Sequence, residues 1–346
     1  MESQPFSMPG ARTAALACLQ WLESEPLRGE CASVSPRAAL GAVVRALQPA
    51  PPQAGPAWVV QPVGSGPGQS SAWPWWLGAG QPPRPLLYLL RARSVGSLQA
   101  GLAEAAGRGI FCNEAGAYAS RWASGVQPSM PLWLAGRPDG TPYDPASGAE
   151  MLVLLQAAIR DLYLDGLVRF VYLSAHDRGV VGEWLSPRQA RHAVLGMYRL
   201  RGLGRARPAC LRLLGAGDAL AEVRQAARLL RLQHGLEVEV WSCPSYTRLA
   251  RDAEAVAGWN LLHPLARPRI SHLGRCLGQG DAPVLAVTGY HAIVAGQIGA
   301  YVRAPFTALG SEDGAIPNPA PDARRIAAAA LGLLGDRGAA AYSGRI

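Results

Sequence analysis

The chain has 346 residues, of which 49% are hydrophobic and 16% are charged, so it is long enough to form two domains with apolar cores. All 33 basic residues are arginine, since the sequence contains no lysine. This absence excludes Walker-type phosphate loops, protein kinases and enzymes that use a lysine amine as a nucleophile.

The net charge of +9 lies almost entirely in the second half of the chain. Residues 1–150 hold 10 arginines and 9 acidic residues, whereas residues 151–346 hold 23 and 15. A basic surface can attract nucleic acid, an acidic protein or a phosphorylated ligand. We predict no nucleic-acid partner, because the sequence shows no basic run interleaved with aromatic residues and no zinc-finger or helix-turn-helix signature.

Cysteine spacing and hydropathy predict a cytoplasmic protein. The cysteines form no Cys-x-x-Cys pair, so we expect neither a zinc cage nor a disulfide framework. The segment Met1–Pro9 lacks the basic and apolar regions of a signal peptide. The uncharged stretch Ala282–Val302 is interpreted as a buried strand and a helix rather than as a membrane span. The six cysteines are Cys18, Cys31, Cys112, Cys210, Cys243 and Cys276.

The first 140 residues predict short elements. Helical spacing is seen over Ala14–Leu22 and Ala38–Leu47, and short strands are predicted at Trp58–Val60, Leu86–Leu90 and Met130–Pro131. Between them, Pro49–Pro85 is rich in Pro, Gly, Ser and Trp. Its tryptophans, Trp73, Trp75 and Trp76, either anchor a partner or cap a thin core, and we favour the second interpretation.

From Glu150 onward, predicted strands alternate with predicted helices. This alternation is typical of an α/β fold with parallel, doubly wound sheets and right-handed crossovers. A turn is predicted at Thr288–Gly289 between a strand and a helix. The predicted strands are Leu167–Leu173, Leu211–Leu214, Leu236–Trp241, Val284–Val287 and Phe306–Leu309; the predicted helices are Met151–Leu162, Leu220–Leu230, Tyr246–Val256, His291–Val302 and one from Asp322.

A glycine turn between a strand and a helix is compatible with a dinucleotide-binding motif. Gly215-Ala-Gly217 lacks the third glycine, since Leu220 stands in its place, and Glu239 is the one acidic candidate for a ribose contact. We therefore interpret these glycines as a tight turn.

Several segments resemble the homodimeric type of pyruvate dehydrogenase, the thiamine-diphosphate-dependent decarboxylating component of the 2-oxo-acid dehydrogenase complex. The strongest are Trp241–Asp252, Trp259-Asn-Leu-Leu-His-Pro264 and Arg267-Pro-Arg-Ile270. Similar segments follow the family order at Tyr143-Asp-Pro-Ala146, Leu213–Gly217, Thr288-Gly-Tyr290 and Leu309-Gly310. Weaker ones are Val44–Leu47, Met130–Pro131 and either Leu98–Gly101 with Glu104-Ala105 or, alternatively, Asn113–Gly116.

The resemblance implies two transketolase-like domains. Residues 1–200 are expected to form a degenerate pyrimidine-binding domain, and residues 201–346 a transketolase carboxy-terminal domain. The family's diphosphate-binding motif, Gly-Asp-Gly followed by Asn, is missing; Pro138-Asp-Gly140 and Glu312-Asp-Gly314 lie in the wrong context. The domain that carries this motif is therefore expected to be absent.

The resemblance also implies a glutamate that hydrogen-bonds the aminopyrimidine ring of the cofactor. The corresponding stretch is taken to be Trp58–Gly64, where Val63 or a neighbour replaces the acid. The nearest later carboxylates, Glu104 and Glu114, are assigned to other motif remnants. Most of the family's histidine-rich loop is expected to be deleted before Tyr143.

The resemblance implies a further histidine after the strand that ends near Ser174, and His176 lies several positions before that place. His176 and Asp177 could form an acid/base pair, although we favour a solvated loop, and His263 is interpreted as a hydrogen-bonded packing residue. We therefore assign no catalytic, cofactor-binding or metal-binding residue.

Retention of the carboxy-terminal motifs beside the loss of the cofactor motifs predicts a pyruvate dehydrogenase-like protein without autonomous oxidative decarboxylation. It is expected to act as an assembly or regulatory partner, as a homodimer or with a full-length homologue, and to bind no cofactor by itself. One alternative is one chain of a split enzyme, in which a second chain completes the site for thiamine diphosphate and Mg²⁺. The other is an arginine-rich module that binds an acidic partner or an anionic metabolite.

Overall fold

The computed structural model describes residues 9–48, 55–62, 84–118, 120, 122, 124–178, 184–200, 209–278, 280–311 and 320–343. The chain divides into two compact units, Met1–Ser186 and Pro187–Ile346. The sequence places the boundary near residue 200. The structure places it earlier because residues 187–199 contribute a helix and an edge strand to the second unit.

The first unit contains a five-stranded sheet. Its strands are β1 (Trp58–Val60), β2 (Leu86–Leu90), β3 (Gly109–Asn113), β4 (Gly140–Tyr143) and β5 (Phe170–Ser174), in the spatial order β1-β2-β3-β5-β4. All neighbouring pairs are parallel. β2, β3 and β5 are buried along their whole length, as expected for central strands of a sheet covered on both faces.

Six helices belong to this unit: α1 (Pro9–Leu22), α2 (Glu25–Ala32), α3 (Pro36–Leu47), α4 (Val95–Glu104), α5 (Ser129–Ala135) and α6 (Gly148–Ile159), which continues as a π-helical turn, Arg160–Leu164. α6 lies at the centre of the unit and packs against α1, α2 and α3. The Ser147 hydroxyl caps it by accepting the Glu150 N–H (3.2 Å), and the buried Glu150 carboxylate accepts the Ala146 N–H (2.6 Å).

The second unit contains a second five-stranded sheet. Its strands are β6 (Tyr198–Arg199), β7 (Leu211–Gly215), β8 (Val238–Ser242), β9 (Val284–His291) and β10 (Phe306–Ser311), in the order β10-β9-β7-β8-β6. All pairs are parallel except β6 and β8, which are antiparallel. The predicted α/β class with parallel sheets is confirmed.

The helices of the second unit are α7 (Pro187–Val194), α8 (Ala219–His234), α9 (Tyr246–Leu262), α10 (His272–Leu277), α11 (Ala292–Gly296) and α12 (Ala323–Ser343). α8 packs against α12 and against strands β7, β8 and β9. The Ser245 hydroxyl caps α9 by accepting the Arg248 N–H at 3.1 Å.

Three sequence-based assignments were wrong. The predicted strand at Met130–Pro131 lies in α5, where the proline occupies the first turn and needs no hydrogen-bond partner for its nitrogen. The predicted turn at Thr288–Gly289 lies inside β9, which continues to His291. The predicted helix His291–Val302 is only α11 followed by a short 3₁₀ turn, Gly299–Tyr301, because two glycines interrupt it and the Phe306 ring occupies the space beside Gly299.

The glycine turn after β7 is explained by backbone conformation and packing. Gly217 has a positive φ of 53°, and a Cβ on Gly215 would lie 3.0 Å from the Leu220 Cα. Glu239, the candidate ribose ligand, is instead paired with Arg199 (2.9 Å) and lies 3.5 Å from Arg212.

No helix among the described residues has the length and apolar character needed to cross a bilayer.

Candidate functional site at the carboxyl edge of the first sheet

Polar side chains collect where the strands of the first sheet end. Asn113 ends β3 and Glu114 follows it, Asp144 follows β4, and His176 and Asp177 come just after β5. In parallel sheets these ends share one edge, which is the usual position of a ligand site in an α/β fold. The amino-terminal turn of α3 brings Arg37 to the same edge.

Arg37 connects the ends of two strands. Its Nε donates to Glu114 Oε1 at 3.0 Å, and its Nη1 donates to both carboxylate oxygens of Asp177 at 3.0 and 3.2 Å. Its Nη2 donates to the Tyr118 hydroxyl at 3.1 Å. Partial burial acts to lower the pKa of Arg37, but the two carboxylates outweigh it and raise the pKa above its ordinary value.

A second arginine faces the other oxygen of the same carboxylate. The Arg91 Nε lies 4.0 Å from Glu114 Oε2, and the Arg91 guanidinium lies 4.4 Å from the centroid of the Tyr118 ring. Arg37 also contacts this ring, at 5.2 Å. Tyr118 therefore contributes cation–π contacts to both arginines that flank Glu114.

His176 forms a separate acid/imidazole pair at this edge. Its Nε2 lies 2.6 Å from Asp144 Oδ1, and its backbone carbonyl accepts the Arg37 N–H at 3.1 Å. The side chain of His176 is 4% exposed and that of Asp144 13%. The Nδ1 edge of the ring lies against Gly116, where a Cβ would lie 2.7 Å from His176 Nδ1.

Asn113 holds the backbone of the edge in place. Its side-chain amide donates to the Ala92 carbonyl (2.7 Å) and to the Tyr172 hydroxyl (2.9 Å), and its Oδ1 accepts the Ala115 N–H (3.1 Å). Burial raises the pKa of Tyr172, so this hydroxyl stays protonated. These three bonds support the turn that presents Glu114.

The structure changes the interpretation of the sequence candidates in this unit. His176 is not in a solvated loop, as we expected, but buried, and its partner is Asp144 rather than Asp177. Glu114, which we assigned to another motif remnant, directly follows the central strand β3, whereas Glu104 lies on α4 and pairs with the Tyr88 hydroxyl. Gln61, the first residue after β1, donates a hydrogen bond from its side-chain amide to the Gln48 side chain at 3.0 Å. The other sequence candidates lie outside the described residues: Val63, Trp73, Trp75, Trp76 and Glu312–Gly314.

Sequence reasoning missed Arg37, Arg91, Tyr118 and Asp144. Asp144 lies inside a segment that carried the family resemblance, but nothing in the sequence pairs it with His176. The two arginines belong to elements distant in sequence from Glu114, so only the folded sheet brings them together.

A second candidate surface lies in the second unit, over residues 259–270, here called the 259–270 segment. The Asn260 side chain binds Arg269 twice: its amide donates to the carbonyl (3.0 Å) and its Oδ1 accepts the N–H (2.8 Å). The Arg269 guanidinium lies 3.9 Å from the centroid of the Trp259 ring, and His263 stacks on the same ring at 4.4 Å. These contacts give the segment a defined shape.

This ordered segment exposes large apolar side chains. The exposed fractions are 80% for Leu261, 77% for Leu262, 102% for Leu265 and 60% for Ile270. His263 is exposed as well, and its Nδ1 lies 2.8 Å from the Trp259 carbonyl, which confirms hydrogen bonding but not packing in a core. A structured segment with several exposed large apolar side chains is typical of an interaction surface.

Comparison with known proteins agrees with the resemblance read from the motifs. Residues 196–313 match the family described as transketolase-like TK C-terminal domain. The pyruvate dehydrogenase E1 component of Cupriavidus necator is 33% identical over 182 residues, which is 52% of this chain and 20% of that protein. The Pseudomonas aeruginosa protein of the same name is 34% identical over 177 residues, covering 51% and 20%.

The matched part is therefore about a fifth of the length of these relatives. Among solved structures, transketolase from Leishmania mexicana aligns with a TM-score of 0.58 at 11% identity, covering 94% of this chain and 49% of that one. Transketolase from Pichia stipitis aligns with a TM-score of 0.52 at 13% identity, covering 73% and 34%. At these identities the structural likeness concerns the fold alone.

Proposed function

We propose that this chain is a non-catalytic assembly partner. Its residues 196–313 match the transketolase-like C-terminal domain family, and the chain is similar to pyruvate dehydrogenase E1 components over about half its length. By itself this pyruvate dehydrogenase-like chain performs no oxidative decarboxylation. It binds a longer homologous chain through the 259–270 segment.

The proposal that the chain is non-catalytic rests on the carboxylates at the carboxyl edge of the first sheet. Every one of them that the structure describes already has a cationic or imidazole partner. Glu114 and Asp177 pair with Arg37, and Asp144 pairs with His176. Thiamine diphosphate requires a carboxylate that accepts a hydrogen bond from its aminopyrimidine ring. Glu114 is at a suitable strand end, but one oxygen accepts from Arg37 and the other faces Arg91. The described residues therefore do not fit the cofactor.

The assembly part rests on the 259–270 segment. Leaving four large apolar side chains in water is unfavourable by roughly 25 cal/mol per Å² of apolar surface, and covering them with a partner recovers that free energy. The hydrogen bonds of Asn260 and the stacking on Trp259 hold the segment in shape before binding, which lowers the entropy lost on association.

The charge of this surface indicates which kind of partner it fits. The charged residues of the 259–270 segment are Arg267 and Arg269, and the segment contains no aspartate or glutamate. Two copies of this segment facing each other would oppose like charges, which is unfavourable. A partner face that combines apolar and acidic residues is complementary, so we commit to a heteromeric contact with a longer pyruvate dehydrogenase E1 chain.

Calorimetric titration of the purified protein with thiamine diphosphate and Mg²⁺ tests the non-catalytic part. We expect no binding heat from the protein alone. Stoichiometric binding with micromolar affinity contradicts this part.

Size-exclusion chromatography with a full-length pyruvate dehydrogenase E1 chain from the same cell tests the assembly part. We expect co-elution that Leu262→Glu weakens at least about tenfold and that Leu262→Arg weakens less, because the partner face is acidic. Leu232→Glu is the matched control, since Leu232 is 83% exposed but lies at the end of α8. Self-association through the same segment, or equal effects of the Leu262 and Leu232 variants, contradicts the proposal.

One observation favours a second candidate, a split thiamine-diphosphate enzyme. Glu114 stands directly after a central parallel strand, as the family chemistry requires, and a second chain could take over its arginine partners. Decarboxylase activity that appears only on mixing two chains and is lost in Glu114→Gln would establish this alternative. Activity that is unchanged by Glu114→Gln would exclude it.

A further inference from the structure

The second unit brings together two histidines and a cysteine that are not part of the site described above. His192 lies in the last turn of α7, and His272 and Cys276 lie one turn apart on α10. One nitrogen from each histidine and the Cys276 Sγ all lie within 4.8 Å of one another. This is the one group of three or more such ligands found among the described residues.

The individual distances are close to those of a metal centre. The Cys276 Sγ lies 3.6 Å from His272 Nε2, and the two imidazole rings are 4.8 Å apart and nearly perpendicular, at 83°. Zinc bonds of about 2.0–2.3 Å place neighbouring ligand atoms roughly 3.3–3.8 Å apart. The sulfur–nitrogen distance already lies in this range, and a shift of about 1 Å by the half-buried His192 side chain completes the set.

A fourth donor lies beside the cluster. The carbonyl oxygen of Met197, between α7 and β6, accepts a hydrogen bond from His272 Nε2 at 2.9 Å. This is about 0.4 Å shorter than the ligand spacing above, so the contact must lengthen slightly when a metal replaces the proton. Two imidazoles, one thiolate and one backbone carbonyl form a donor set suited to thiophilic first-row metals. From this juxtaposition we propose that His192, His272 and Cys276, with the Met197 carbonyl, bind a thiophilic d¹⁰ metal ion, Zn²⁺ or Cu⁺.

The charges around the cluster define what binding requires. Metal binding requires both imidazole rings to be neutral and Cys276 to bind as a thiolate. When the metal–sulfur bond forms, the thiol proton leaves to solvent, and the proton on His272 Nε2 moves to Nδ1.

Nearby arginines favour a bound ion of low net charge. Arg188 and Arg191 lie on α7 with His192, and Arg275 lies on α10 next to Cys276. A thiolate reduces the charge of a Zn²⁺ centre by one, and with Cu⁺ it makes the centre neutral. We therefore expect the ratio of Cu⁺ affinity to Zn²⁺ affinity to be higher here than at a site with the same ligands and no nearby arginines.

The proposal is tested by metal titration of the intact chain. Co²⁺ is added under anaerobic conditions, and a sulfur-to-metal charge-transfer band is followed; Zn²⁺ and Cu⁺ are then measured by competition with chromophoric chelators. We expect one equivalent of metal with a dissociation constant of micromolar or lower, and a rise in the thermal midpoint when metal is present.

Substitutions identify the ligands. Cys276→Ser and His192→Ala should each weaken binding at least about thirtyfold and abolish the charge-transfer band. Both side chains are only partly buried, so these variants should fold, which circular dichroism checks. The matched control is Cys210→Ser, because Cys210 is also partly buried in the second unit, with its thiol 3.1 Å from the Glu237 carbonyl.

Each outcome decides the question. One-to-one binding that is lost in the two ligand variants and kept in Cys210→Ser supports the site. Absence of binding, binding that persists in Cys276→Ser, or equal loss in Cys210→Ser overturns it.

Discussion

Arg37 is the residue on which the polar edge of the first sheet depends. It binds carboxylates that follow two different strands, so it joins β3 and β5 at their ends as well as neutralising Glu114. The side chain of Glu114 is only 13% exposed, and a carboxylate in such a position is unfavourable without a cationic partner.

Replacing Arg37 with methionine should lower the free energy of unfolding by about 2 kcal/mol, since Glu114 would keep only the more distant Arg91. Urea titration measures the change. Arg45→Met is the control, because Arg45 pairs with Glu30 at an exposed position and its loss should cost less than about 0.5 kcal/mol. Equal effects of the two substitutions would show that the buried network adds no stability.

Gly116 lies against the Nδ1 edge of the His176 ring. Adding a methyl group in Gly116→Ala should destabilise the protein by about 1–3 kcal/mol, because the new Cβ would lie 2.7 Å from His176 Nδ1 and would disturb the pair with Asp144. Thermal unfolding with and without the substitution measures this.

A matched glycine checks that the effect is steric. Gly96 lies in α4, and no neighbouring atom lies within 4 Å of the position that an alanine methyl group would take there. Gly96→Ala should therefore be neutral or stabilising by up to about 1 kcal/mol. Loss of stability in both variants would instead indicate a general intolerance of glycine substitution.

At the scale of elements, the 259–270 segment shows how a chain segment can be rigid without being buried. Its shape comes from the end of α9: Trp259 and Asn260 lie on the helix and bind the returning chain at Arg269. The large apolar side chains of the same segment are exposed to solvent and do not pack in the core of the second unit.

Asn260→Ala should loosen the segment and leave the sheet intact. We expect faster hydrogen exchange at the Arg269 amide, which loses its acceptor, and weaker association with the partner chain, with little change in the thermal midpoint. A large loss of global stability would show that the segment contributes to folding rather than to recognition.

For the whole molecule, the unusual composition has a measurable effect on alkaline stability. With no lysine in the sequence, the side chains that titrate between roughly pH 8 and 11 are cysteine and tyrosine. Burial raises the pKa of the Cys18 thiol from its ordinary value of 9.0 to about 12, and burial also raises the pKa of Cys112.

The pKa of each thiol is higher in the folded protein than in the unfolded chain. Each thiol therefore makes its full contribution to the free energy of unfolding below about pH 9, and this contribution is lost as the pH rises toward the pKa of the thiol in the folded protein. Stability should therefore fall between pH 9 and 11, by up to about 1.4 kcal/mol per pH unit for each such thiol. Urea midpoints at several pH values measure the slope, and Cys18→Ala with Cys112→Ala should reduce it. An unchanged slope would contradict the assignment to these thiols.

Much of the architecture could be predicted from local sequence patterns. The continuous apolar run at Leu86–Leu90 predicted a buried strand, and the spacing of Met151, Leu154, Leu155 and Ala158 predicted the buried helix α6. Segment ends were predicted less well: β9 continues beyond Thr288 to His291, which pairs with Ser311 of β10 after an irregularity in the register, and no local pattern contains this pairing.

The sequence by itself determined the fold class, the family resemblance and the chemistry excluded by the absence of lysine. These follow from the periodicity, motifs and composition of contiguous residues. Only the tertiary structure decided which side chains meet: Glu114 with Arg37, His176 with Asp144, and His192 with Cys276. The physical reason is that parallel strands and their crossover helices bring together residues far apart in the chain, and the free energy of a buried charge depends on those neighbours.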